Sequence, residues 1–287
     1  MKKNISTIIL SMIFCYIAIY TAAYPRETYG AAADAVSLWF NVVFPSLLPF
    51  FICIEVMIGL GIVSLVGSTF KPVMSAVFNV PGEGSFGFFM SISSGYPVGA
   101  KIVSELRQKK ICTLQEGQRL LSLCSTSGPL FIIGAVATGI LKNPEIGLLL
   151  ALSHYLSAIT VGFFMRFYNK DKVPKRAGIR TNPISDMLEY RRKDGRSIGL
   201  LLGDAVKNSI NLILMIGGFI IFFAVIARVL EISGLLPFLS RTIASAIPFI
   251  KADPQIVSGL FIGILEVTNG IKECAALQIP TLSKVVI

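Results

Sequence analysis

The chain has 287 residues, of which 54% are hydrophobic and only 15% charged, and its mean hydropathy is +0.74. Soluble domains carry about 25% charged residues, so this composition excludes a water-soluble globular protein, and it is far too apolar for a disordered chain. The excess of 26 Lys and Arg over 16 Asp and Glu would point to nucleic acid in a soluble protein. Here the cations cluster between apolar blocks, as membrane topology requires, so the expected partner is the lipid bilayer and no nucleic acid. One His and five scattered Cys (15, 53, 112, 124 and 274) offer no metal-ligand spacing, so neither metal nor cofactor is expected. The cysteines lie in or beside apolar stretches and read as small buried hydrophobes.

The first candidate span, residues 5–23, follows Lys2 and Lys3. Its length favours a retained transmembrane helix or signal anchor within residues 1–25 over a cleaved leader. A second span is expected over residues 42–66, with Glu55 near its middle. Residues 84–99 are apolar but short and broken by Gly and Pro, whereas 120–141 is of spanning length and interrupted at its start by Cys124 to Pro129. Residues 146–167 form an unbroken span. Residues 169–197 are plainly hydrophilic, carry nine Lys and Arg, and read as a basic cytoplasmic loop. A long apolar segment follows from about residue 210, with Arg228 placed as a snorkelling anchor near its end. The last apolar block, 256–265, runs directly into Glu266 to Lys272, and the chain stops at Ile287 in a further apolar run.

Charge then sets the topology. The loops at 101–119 and 169–197 and the N-terminal lysines all belong on the cytoplasmic side. That parity holds only if 84–99 enters and leaves the membrane on one side, as a re-entrant segment. Irregular backbone at membrane depth is tolerated where it lines a cavity or is buried in protein. Shifting the sequence by 171 residues lays Gly99 over Gly270 and Lys101 over Lys272, and lays the apolar block 47–63 over 218–234. The flanking spans run in opposite directions, which predicts an inverted repeat of the kind found in secondary transporters. The expected fold is therefore an all-α polytopic membrane protein with broken or re-entrant helices. Its first repeat and following spans occupy 42–168, and a second, inverted and incomplete repeat occupies 198–287.

Pro97 and Pro129 each follow a Gly/Ser-rich break and each precede an apolar stretch, the pattern of a half-helix starting inside the bilayer. Helix N-termini carry free N–H groups and partial positive charge, so two of them at mid-depth would favour an anionic or carbonyl-bearing group. The candidate substrate-binding residues are Ser93, Ser94, Gly95, Tyr96, Pro97, Gly99 and Lys101 in the first motif. Ser125, Thr126, Ser127, Gly128 and Pro129 form the second, and Glu266, Thr268, Asn269, Gly270 and Lys272 the third. Glu55 is a candidate coupling or supporting group, since an ionisable residue in a span is costly unless paired. His154, on an apolar helix with no partner nearby in sequence, reads as a packing residue. No catalytic residues are expected: the chain has no HExxH and no placeable Ser–His pair.

FPSLLPFF (44–51), FNVPG (78–82), SGYPVGAK (94–101), STSGPLFIIGAVA (125–137) and LEVTNGIK (265–272) resemble the sporulation integral membrane protein YlbJ family. That family sits within the wider Gate, or nucleoside-recognition, group, similar in plan to concentrative nucleoside transporters. The resemblance covers about residues 40–280 and implies longer family members, with a further broken helix beyond the last motif. It also implies a role in endospore formation, in the cell membrane or the membrane around the developing spore. The expected function is transport of a small organic anion, with dipicolinate the best-motivated candidate. Nucleoside or nucleobase transport and a non-transporting scaffold in spore-envelope assembly are the alternatives, and a homo-oligomer is compatible with each.

Overall fold

The computed structural model describes residues 2–169, 182–246 and 253–277, and among them every regular element is helical. Helix α1 (Lys2–Ala23) is followed at once by α2 (Pro25–Leu38), which continues through a π-helical turn at Trp39–Val43 into α3 (Phe44–Gly59). The expected span at 42–66 is thus the second half of one helix running from Pro25 to Gly59. It stops short of residue 66 because Gly61 adopts a left-handed conformation (φ +80°), turning the chain into α4 (Ile62–Phe78). Then come α5 (Gly84–Ser94), α6 (Tyr96–Gln108) and α7 (Leu114–Leu123), an unwound stretch, a π-helical segment at Phe131–Ile140, and α8 (Gly147–Met165). Beyond lie α9 (Pro183–Asp194), α10 (Ile198–Ile232), α11 (Leu235–Ala246), α12 (Pro254–Leu265) and α13 (Val267–Ala276).

Among the described residues, four helical stretches are long and apolar enough to cross a bilayer: Ile5–Ala23, Pro25–Gly59, Pro144–Met165 and Ile198–Ile232. None of the Ile5–Ala23 window is buried in protein, and Ile8, Met12 and Ile19 are all more than half exposed. Such a helix is stable only with lipid around it. Two of the five cysteines also depart from the sequence reading. Cys112, Cys124 and Cys274 are buried, but Cys15 and Cys53 face outward from apolar helices.

The helices group into two compact units. One comprises Met1–Pro45, Gly139–Leu141 and Leu212–Ile287; the other comprises Ser46–Thr138 and Lys142–Asn211. In the first, Trp39 Nε1 donates to the Ile213 carbonyl at 3.0 Å, and its ring lies so close to Gly217 that a methyl group there would sit 2.5 Å away. In the second, Met74, Phe78, Val80, Val103, Leu120, Leu123 and Cys124 form the core. Arg119 is 1% exposed and donates to the Asn79 carbonyl (2.8 Å) and the Tyr168 carbonyl (3.1 Å). Those carbonyls lie just past the C-terminal ends of α4 and α8, where orphan acceptors and partial negative charge accumulate. One guanidinium therefore ties two helix ends together.

The hydrophilic stretch at 169–197 is more than a loop. Residues 170–181, with Lys170, Lys172, Lys175, Arg176 and Arg180, lie outside the described residues, as do 278–287. The remainder forms α9, which docks on α4 and α5. Asp186 accepts from Ser68 and pairs with Lys71 at 3.3 Å, the Met187 carbonyl approaches Gly61, and the Tyr190 ring lies tilted against Phe86.

Candidate functional site

The motif at 94–101 folds as a helical hairpin. Gly95 breaks it at φ +82°, ψ −172°, a region essentially reserved for glycine, and α6 begins at the next residue. A methyl on Gly87 would touch Ile102, and one on Gly99 would touch Ser91, so the arms run antiparallel and in contact. This is the geometry expected of a segment that enters and leaves on one side.

The second break packs against the first. Helix α7 starts with a capping box, in which the Thr113 hydroxyl accepts from Glu116 N and the Glu116 carboxylate accepts from Thr113 N. It ends at Leu123, and residues 125–128 are unwound before helix resumes at Pro129. Unwound backbone at membrane depth needs partners, and neighbouring side chains supply several of them. Ser91 Oγ, on α5, donates to the Cys124 carbonyl, bonds Thr126 Oγ1 at 2.8 Å and accepts from Thr126 N at 3.2 Å. His154 Nε2 accepts from Ser127 N at 2.9 Å, and the Tyr155 hydroxyl donates to the Ser127 carbonyl at 2.9 Å. His154 is thus a neutral acceptor with its proton on Nδ1, holding the break open from α8.

Gly95 and Gly128 meet where the breaks meet: a methyl on Gly95 would lie 3.7 Å from Gly128 N, and one on Gly128 would lie 3.6 Å from the Ser93 carbonyl. Two helix starts, at Tyr96 and Pro129, leave from this point. No side chain caps α6, and Gly128 has none to offer its own helix. The hydroxyls expected to serve a ligand divide into two groups. Thr126 is 0% exposed and engaged by Ser91, and Ser125 Oγ is bonded to the Leu121 carbonyl at 2.7 Å. Ser93 and Ser94 sit on the last turn of α5 beside the break. Lys101 is exposed one turn into α6, close enough to Glu55 for their charges to interact, with Asn208 beside the same carboxylate.

The motif at 265–272 is a second helical hairpin, in the other unit. Its arms, α12 and α13, approach so closely that a methyl on Gly270 would fall 2.3 Å from Gly263 Cα, and one on Gly259 would fall 2.6 Å from Cys274 Sγ. The pivot is Glu266, which lies 171 residues after Gly95, the offset of the sequence repeat. The two pivots differ chemically. Glu266 caps its own helix, its carboxylate accepting from Thr268 N (3.0 Å) and Asn269 N (2.8 Å). Asn269 Nδ2 donates to the Ile220 carbonyl at 2.9 Å, and Lys272 approaches Asp34 at 3.8 Å. Thr268 and Gly270 are buried in the hairpin. Arg228, read as a snorkelling anchor, pairs with Glu231 at 2.6 Å.

The chain is 38% identical over 292 residues to the sporulation integral membrane protein YlbJ of Bacillus subtilis (strain 168), with 99% of this chain and 72% of the relative covered. The chain belongs to the YlbJ family. Within that YlbJ-like chain, the Gate family model, described as nucleoside recognition, matches residues 40–169. The match takes in the first hairpin, the unwound stretch and α8, so both breaks and their supports, Ser91, His154 and Tyr155, fall inside it. The second hairpin lies beyond it. No solved structure matches the chain.

Three residues that hold this region together escaped the sequence reading. Ser91 sits among other serines with nothing to distinguish it, and Tyr155 shows only as an aromatic in a span. Arg119 was countable as a loop cation, but the T-x-x-E capping box at Thr113 marks a helix start six residues earlier. That start places Arg119 inside a helix, where burial demands partners.

Proposed function

We propose that this chain is a membrane transporter of a small organic anion that serves endospore formation, and that it carries out no covalent chemistry. The observation that supports this reading is the meeting of two uncapped helix starts at Gly95 and Gly128. The first N–H groups of each helix lack intrahelical partners, and their dipoles add partial positive charge at one point. Each such end favours a negative group by roughly 0.3–1 kcal/mol, and more when water is excluded. Ser93 and Ser94 can donate to the same group, and Lys101 adds a full charge one turn away. Dipicolinate suits this arrangement because a planar dicarboxylate can present one carboxylate to each helix start. The sporulation context is taken from the name of the Bacillus subtilis relative.

Nucleoside transport is the second reading, favoured by the Gate description over residues 40–169. The groups that would serve a ribose or base are already engaged: the Glu266 carboxylate holds two backbone N–H groups and the Asn269 amide holds the Ile220 carbonyl. The test is a thermal-shift titration of purified protein with pyridine-2,6-dicarboxylate, its diamide and a nucleoside. The dicarboxylate should stabilise the protein well beyond the isosteric diamide. Equal shifts from the two refute the anion reading, and a shift from nucleoside alone puts the second reading first. No shift from any of them, with no uptake into reconstituted vesicles, favours a scaffold.

A further inference from the structure

Helix α9 presents three faces, and among the described residues only one of them meets the rest of the protein. At about 100° per residue, Asp186, Met187, Tyr190 and Asp194 fall on one side of the helix. These are the residues that meet α4 and the turn before it, α5, and the link to α10, Asp186 through Ser68 and Lys71, Met187 through Gly61, Tyr190 through Phe86 and Asp194 through Arg196. The outward half is itself divided. Ser185, Glu189 and Lys193 form a polar strip in which Lys193 Nζ pairs with Glu189 at 2.7 Å, both side chains being more than half exposed. Beside that strip runs an apolar one, Ile184 and Leu188, one helical turn apart and 60% and 52% exposed, with Arg192 exposed at its end.

A helix wholly in water gains nothing from exposing Ile184 and Leu188 in register, and a helix wholly in lipid could not carry Glu189, Arg192 and Lys193. The division suits a helix lying in the plane of the membrane interface. The connection to α10 supports that depth. Only residues 195–197 separate the two helices, and α10 opens with Ile198, Leu200 and Leu202 at 72%, 55% and 50% exposed on a bilayer-spanning helix. Asp194 and Asp204 both bind Arg196, at 2.7 and 2.9 Å, so the joint between α9 and α10 is braced.

We propose that α9 is an interfacial helix that inserts Ile184 and Leu188 into the cytoplasmic leaflet and places Arg192 at the phosphates of anionic lipids. Its partner is therefore the lipid surface. Charge complementarity selects it over a protein: the apolar strip is only two side chains wide, too narrow for a protein interface, and the guanidinium at its border matches a phosphate plane. Because the opposite face of α9 holds α4 and α5, the same helix fixes the first hairpin to the membrane surface.

The test uses the full chain reconstituted into vesicles of phosphatidylglycerol and phosphatidylcholine, with tryptophan placed by Leu188→Trp or, independently, Ile184→Trp. The signal of the parent, which contains Trp39, is subtracted. Lipids brominated near the headgroup end of their chains should quench most of the added emission, and aqueous iodide should quench little of it. Glu189→Trp should show the reverse. Adding Arg192→Gln to Leu188→Trp should reduce bromolipid quenching in vesicles containing phosphatidylglycerol and leave it unchanged in pure phosphatidylcholine. The proposal is overturned if tryptophans at 184 and 188 are open to iodide and untouched by bromolipid, or if both quenchers fail because protein covers them. Recovery of either tryptophan variant as a monodisperse peak keeps the result readable.

Discussion

Replacing Gly99 with alanine is expected to be the most damaging single-methyl change in the first hairpin. The added carbon would lie 2.2 Å from the Cys124 carbonyl oxygen, 2.6 Å from Ser91 Cβ and 2.8 Å from Ser91 Oγ. Reaching ordinary contact with the carbonyl alone means opening the gap by more than 1 Å, and neither obstacle is a flexible side-chain end. Overpacking of this kind costs about 1–3 kcal/mol. The displaced atoms are also those that hold the unwound stretch, since Ser91 Oγ bonds the Cys124 carbonyl, Thr126 N and Thr126 Oγ1. Each buried bond lost adds about 1 kcal/mol, for a total of roughly 2–5 kcal/mol. The assay is thermal unfolding of detergent-purified protein, with hydrogen exchange at residues 124–128 as the local readout. Gly30→Ala, inside α2, is the control, because nothing lies within 4 Å of its added methyl and it should melt with the parent or slightly above it. If Gly99→Ala also melts with the parent and exchange at 124–128 is unchanged, the close approach of hairpin and unwound stretch is wrong.

Three further outcomes are expected. His154→Phe should destabilise the protein by about 1–3 kcal/mol by leaving Ser127 N without an acceptor, and His154→Gln should recover part of that loss in the same melting assay. Single cysteines at Lys109 and at Lys193, in a background cleared of native cysteines, should both label only from the cytoplasmic side; labelling from opposite sides would remove the re-entrant hairpin. Hydrogen bonds from Arg196 hold the Asp194 carboxyl at a pKa of about 2. A lowered pKa contributes stability in full above the unfolded value near 3.9 and loses it as pH falls through the folded one. The α9–α10 joint should therefore stay protected from exchange through mild acid and open only as pH approaches 2, whereas Asp194→Asn should loosen it at neutral pH.

Much of this protein was legible in the order of its residues. Membrane character follows from composition, since bilayer insertion depends on summed transfer free energy, which needs no tertiary information. The breaks at Gly95 and at 125–128 were visible because Gly and Pro act on the backbone locally. Charge parity along the chain predicts a re-entrant course for the first motif, and that motif folds as a helical hairpin. The 171-residue offset placed the two hairpin pivots, although it could not show that one is a bare glycine and the other a glutamate capping its own helix. What folding alone decided is which groups are already spoken for. Thr126 and Ser127 read as ligand groups until Ser91, 35 residues before Thr126, and His154, 27 after Ser127, are brought against them. Helix α9 read as loop because its average polarity hides three separate faces, of which one binds protein. Hydrogen bonds and close approaches join residues far apart in sequence, and a pattern with a period of a few residues carries no record of them. The sequence specifies where this backbone must break, and the tertiary structure decides which atoms satisfy the break.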